Sequence, residues 1–169
     1  MKKSITLMLL ALVVTLGFAQ EDKSKRPSPP AVAEGTIDGV KIKIDYSQPS
    51  AKGRTMLGGI EAYGKVWRTG ANEATIFETD KAIKIEGQNL PAGKYELFTI
   101  PGATDWVIIF QKYGKQWGAY SYKESNDVLR VNVKASKAPS FVETFNISVG
   151  KDQVILKWEN TLVAFKAKG

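Results

Sequence analysis

The 169-residue chain reads as an all-β protein, an antiparallel β-sandwich of jelly-roll type with about ten short strands and little helix. Three observations carry that expectation. Apolar and polar residues alternate at period two along most of the chain, turn signals recur at roughly the eight-to-twelve-residue spacing of small sandwiches, and no window of about a dozen residues places its apolar positions at helical spacing.

Val40, Ile42, Ile44 and Tyr46 alternate with Lys41, Lys43 and Asp45, as a strand with one wet face requires, and Asp38-Gly39 just before them is a two-residue hairpin turn. Residues 34–37 are therefore expected to pair with 40–46. Further strands are expected at 74–79, at 82–86 and, after the turn Leu90-Pro91-Ala92-Gly93, at 95–100. Over 106–111 the alternation stops, because Trp106, Val107, Ile108, Ile109 and Phe110 are apolar in succession, and this marks a central strand buried on both faces. Segments 118–122, 128–134, 141–149, 154–159 and 161–166 complete the set. Helix is expected only as a turn or two between Arg54 and Tyr63, and Trp106 and Trp158, which sit inside strand patterns, are expected in the core.

Ahead of the strands, Met1-Lys2-Lys3, an apolar run over 5–16 and then Gly17-Phe18-Ala19 follow the charged, apolar, small-residue order of a secretory signal peptide cleaved after Ala19. The apolar run is about a dozen residues against the roughly 20 that cross a bilayer, so no transmembrane anchor is expected. No cysteine follows it to carry a lipid. Residues 20–31, polar and rich in proline, read as an extended solvated spacer, and 32–169 as a single domain. The expected location is the periplasm, the outer-membrane surface or the extracellular space.

Composition removes whole classes of chemistry. The chain has no cysteine and no histidine, which excludes disulfides, thiol and Ser-His-Asp nucleophilic catalysis, and metal sites built on thiolate or imidazole. Oxygen ligands alone suit calcium, but no Asp-rich loop has calcium spacing, so neither metal nor cofactor is expected. Removal of Lys2 and Lys3 with the leader lowers the formal charge from +7 to +5, and the remaining lysines are spread along the chain. That balance favours solubility over a nucleic-acid track, and no nucleic-acid partner is expected.

The regular pattern breaks between Tyr46 and Ala74. A connection this long in a compact domain is either functional or disordered, and its residues are too apolar and too varied for disorder. Its densest stretch is Gly64-Lys65-Val66-Trp67-Arg68-Thr69-Gly70-Ala71-Asn72-Glu73-Ala74-Thr75. Arg68 offers a planar fork of donors suited to a carboxylate or sulfate, Asn72 both donates and accepts, Trp67 offers a flat face for a sugar ring, and Glu73 accepts from hydroxyls. With Arg54 and Lys65 these six are the candidate ligand contacts. The competing role is architectural, with Arg68, Asn72 and Glu73 satisfying buried backbone groups and Trp67 plugging the core.

That stretch, together with Asp45-Tyr46-Ser47-Gln48-Pro49-Ser50-Ala51-Lys52-Gly53-Arg54, Leu90-Pro91-Ala92-Gly93-Lys94-Tyr95 and Trp158-Glu159-Asn160-Thr161, resembles the bacterial family known as domain of unknown function 2911. The likeness runs from about Ser28 to about Phe165. It implies a secreted protein of the kind typical of Bacteroidota and implies no particular reaction.

Two functions fit the residues. One is a non-catalytic binding module for a saccharide or small polar ligand, with 52–72 as its recognition surface. The alternative is an enzyme on polysaccharide, either a hydrolase drawing two carboxylates from Asp45, Glu61, Glu73 and Glu159, or a lyase using Tyr, Lys and Arg.

Overall fold

A computed structural model describes residues 22–169, so the expected leader and its cleavage point lie outside the described residues. Nine strands form one antiparallel sheet: β1 (Pro30–Ile37), β2 (Val40–Ser47), β3 (Thr75–Thr79), β4 (Ile83–Ile85), β5 (Gln88–Leu90), β6 (Gly93–Ile100), β7 (Asp105–Lys112), β8 (Asp127–Val149) and β9 (Gln153–Lys168). Their order is β1-β2-β3-β6-β7-β8-β9-β4-β5. The all-β antiparallel class is as the alternation predicts. The β1–β2 turn is also as expected: Ile37 pairs Val40, and Asp38 and Gly39 both take positive φ, at 48° and 77°, as a type I′ turn requires.

A single sheet supplies both layers around the core because its longest strand bends. β8 pairs with β7 through its first part, passes register shifts between Lys137 and Asn146, and then lies over the start of the sheet. There Ile147 N–H donates to the Tyr46 hydroxyl at 3.1 Å, and Ser50 bridges Thr144. Bulges bend a strand without reversing it, so the expected pair 128–134 and 141–149 are two halves of β8. Likewise 154–159 and 161–166 are halves of β9, kinked where Glu159 takes φ of 50°.

The enclosed face carries Val40, Ile42, Ile44, Leu97, Ile108, Phe110 and Phe165, all buried. β7 is buried on both faces, as its unbroken apolar run predicts, but its second face is covered by loops. On that outer side Ala74, Phe98 and Ile109 form a small separate cluster against Val66, Ala119 and Tyr122.

Four expectations change. Residues 118–122 are turns of a covering loop, residues 54–63 form turns and a bridge with no helix, and β5 was not anticipated. Among the described residues the helix is two single 3-10 turns, Lys23–Lys25 and Glu124–Asn126. The part of the presumed spacer that is described does not run free, since β1 begins at Pro30 and the segment before it docks. Gln48 N–H donates to Pro29 O at 2.9 Å, and Asn72 Nδ2 donates to Ser28 O at 3.0 Å. Hydrogen bonds to its backbone carbonyls, one from a backbone N–H and one from a side-chain amide, hold it there, and composition does not report them.

Candidate functional site

The long connection after β2 crosses the end of the sheet and is fastened at several points. Trp67 pairs with Thr99 of β6 through hydrogen bonds in both directions, 2.7 and 2.9 Å, which turns its indole inward. Only 3% exposed, the ring stacks on Trp158 at 5.5 Å, meets Trp106 and Phe145 edge-on, and donates from Nε1 to Gly70 O at 3.0 Å. Gly70 is glycine for space, because a Cβ there would lie 2.9 Å from Ser47 O. Trp67 is therefore a core residue with no face for a ligand, which corrects its place among the candidate contacts.

Two other candidates are taken up by the chain itself. Arg54 donates from Nε to Ala51 O and from Nη2 to Ser50 O, both at 2.9 Å, so it caps its own turn. Asn72, at φ of 60°, donates to Ser28 O and to Ser47 Oγ and ties the N-terminal segment to the end of β2. Lys65 is exposed.

Arg68 differs from these. The residue is half-buried, its Nε is buried, and that atom meets no hydrogen-bond acceptor among the described residues. Its Nη1 lies 2.9 Å from the point a Cβ would take on Gly118, and the ring of Tyr120 lies 2.8 Å from the same point. The guanidinium and that ring therefore sit side by side over Gly118, whose φ of 68° keeps the crossing compact. Tyr120 is 87% exposed and Trp117, one residue before Gly118, 56% exposed. Burial holds the Glu61 carboxyl above the ordinary range, and the Arg68 charge only partly opposes that rise. An acid raised on folding loses stability as pH climbs past its unfolded value. Glu61→Gln should accordingly melt higher than the parent at pH 7 and converge with it near pH 4; thermal scans at the two pH values check this.

A second loop, residues 113–126, covers the outer face and was not legible as a site. It runs antiparallel to residues 72–74: Ala74 N–H donates to Gln116 O and Gly118 N–H to Asn72 O, both at 3.0 Å. Beneath it Glu96, fully buried on β6, accepts from Gln116 N at 2.6 Å and from Gln116 Nε2. Gln116 Nε2 also donates to Gln111 Oε1, and Gln111 Nε2 donates on to Lys123 O and Asp127 Oδ1. The Tyr122 hydroxyl donates to Asp127 Oδ2 at 2.7 Å, and burial with that hydrogen bond holds the phenol far above its usual range, so it stays neutral. This network seats the loop.

Glu73 faces the N-terminal segment. It takes hydrogen bonds from Lys23 Nζ at 2.8 Å and from Arg26 Nη1 at 2.9 and 3.1 Å. Burial pushes its carboxyl up, but the bonds from Lys23, its own backbone and Arg26 more than offset that and bring it to about 2. Beside it opens a cleft of about 330 Å³ lined by Asp45, Pro30, Ile76, Tyr113 and Gln116.

The four acids considered for hydrolysis are thus committed to different partners. Glu159 accepts backbone hydrogen bonds from Met56 and Leu57, Glu73 holds Lys23 and Arg26, Asp45 lies 3.4 Å from Lys43, and Glu61 faces Arg68. Among the described residues no three acids gather to hold a metal ion, and no helix is long and apolar enough to cross a membrane.

Residues 28–167 match the family described as protein of unknown function (DUF2911). The chain belongs to that family. No curated protein and no solved structure matches it. In this DUF2911 domain Arg68, Glu73, Gly118 and Tyr120 all fall within the matched residues, while Lys23 and Arg26 stand just before them.

Proposed function

We propose that this DUF2911 protein is a non-catalytic binding module that takes a small polar ligand, a saccharide carrying a carboxylate or sulfate, at the corner formed by Arg68 and Tyr120. The observation that carries the reading is the half-buried Arg68 guanidinium, whose Nε has no acceptor among the described residues and which lies beside an exposed aromatic ring. A carboxylate or sulfate brings the guanidinium an acceptor that the chain does not give its Nε, and a sugar face packs on an aromatic ring. The dispersal of the acids favours binding over carboxylate chemistry.

The test is an array of neutral and acidic glycans, followed by calorimetry on the best binder. Acidic glycans should bind, and Arg68→Ala should weaken them by roughly tenfold or more, the range of a charged hydrogen bond. Its melting temperature should move little, since Arg68 holds no backbone group with its side chain. Equal binding by Arg68→Ala and the parent would overturn the reading.

Export belongs to the same proposal. The order Lys2-Lys3, apolar run, Gly17-Phe18-Ala19 supports a mature chain that begins at Gln20 in the cell envelope or medium. Intact-mass measurement on those fractions should find the chain short of its first 19 residues. Full-length protein confined to the cytoplasm is the contrary result.

A further inference from the structure

The N-terminal segment is held in an unusual way for a stretch with so little to bury. Its 3-10 turn, Lys23–Lys25, has no buried residue, yet the side chain of Arg26 that follows is only 12% exposed. Arg26 enters a site made by the family domain. Its Nη1 reaches both carboxylate oxygens of Glu73, and its guanidinium carbon lies 5.7 Å from the centre of the Trp117 ring. Carboxylate at one edge and indole on one face suit a planar cation better than a compact ammonium, because a guanidinium can direct N–H groups at the carboxylate while its flat face meets the ring. Glu73 and Trp117 are held facing each other by the backbone, through a bridge between these two residues and the hydrogen bonds that flank it. The pairing belongs to the two loops and does not depend on the segment that fills it. The adjoining cleft, with Pro30, Ile76 and Tyr113 in its lining, leaves room for residues next to a bound arginine.

We infer that Glu73 and Trp117 form a receptor for the guanidinium of an arginine-bearing peptide, and that Arg26 occupies it as a tethered ligand of the chain's own. This goes beyond the proposal for Arg68, uses different residues and takes a ligand of opposite charge. A short tether presents its ligand at an effective concentration near millimolar, so an incoming peptide must outcompete Arg26 to be held. With its carboxyl at about 2, Glu73 remains ionised at any pH the protein meets near neutrality, and displacement is a matter of competition and not of protonation.

The test uses the chain with Arg26→Ala and a synthetic peptide of residues 22–30, Asp-Lys-Ser-Lys-Arg-Pro-Ser-Pro-Pro. Binding is read by tryptophan fluorescence, to which Trp117 contributes as the exposed tryptophan while Trp67, Trp106 and Trp158 are buried. The variant should bind the peptide saturably and at least about tenfold more tightly than the parent chain, where the tether competes. The same peptide with lysine in place of arginine should bind several-fold more weakly, and adding Glu73→Gln to the variant should abolish the signal. If Arg26→Ala does not fold, Arg26→Lys, which keeps the charge on Glu73 but not the planar contact, serves in its place. No binding by a folded variant, equal binding of the lysine peptide, or binding that survives Glu73→Gln would each overturn the inference.

Discussion

Trp67→Ala should lower the unfolding free energy by about 3–5 kcal/mol, among the largest effects available to one substitution in this protein. Four things are lost together: the stack on Trp158, the edge contacts with Trp106 and Phe145, the hydrogen bond to Gly70 O, and the plug between the long connection and the core. The surrounding side chains come from β7, β8 and β9, which are fixed by their ladders, so the cavity has little scope to collapse. Trp67→Phe should fall in between, since it keeps part of the volume and loses the Nε1 donor. Urea denaturation with unchanged slope checks the size. A loss below about 1 kcal/mol for the alanine variant would mean that the connection is not anchored by this ring.

The fold was legible wherever one face of a strand is wet. Val40, Ile42, Ile44 and Tyr46 announced β2 because Lys41 and Lys43 stand between them, and Asp38-Gly39 fixed where the chain turns. Length was less legible, because β8 and β9 bend within themselves. The strands expected at 128–134 and 141–149 leave a gap between them, whereas the backbone runs on through that stretch with register shifts in a continuing strand. The cover of the outer face, expected as a strand over 118–122, is a loop. Phe98 and Ile109 point away from the main core and needed a cover, but the cover is loop, and loops have no period to read.

For the site, residue chemistry identified the groups and not their partners. Arg68, Asn72 and Glu73 were all visible as polar groups on a long connection. Which of them stays unpaired depends on Ser28, Lys23 and Arg26, which are distant in sequence and lie in a stretch that composition marks as solvated. Trp117 and Tyr120 were hidden in a segment whose aromatics mimic a strand. A signal was available in Glu96 and Gln111, polar residues on outward positions beside the apolar Phe98 and Ile109. Such a mixture points to a face covered by something that must be hydrogen-bonded.

Glu159→Ala should cost about 2–4 kcal/mol, because the side chain is a backbone anchor placed where a catalytic acid was a reasonable reading of the sequence. Its two oxygens accept from Met56 N at 3.0 Å and Leu57 N at 2.8 Å, and both of those residues are buried. Truncation leaves two donors without acceptors at the edge of the core, while the positive φ of 50° at Glu159 still has to be held. Glu159→Gln should be nearly as harmful, since the amide offers one accepting oxygen and turns a donor toward the other N–H. The contrast with Glu61→Gln is the informative part: both variants remove one acid, yet the first should melt lower than the parent and the second higher. A hydrolytic role predicts a different pattern, in which Glu159→Gln keeps the melting temperature and loses turnover of polysaccharide. Thermal scans on the three proteins, with reducing-sugar release measured alongside, separate the two. Unchanged stability with lost turnover in Glu159→Gln would move this residue from the frame of the protein into its chemistry.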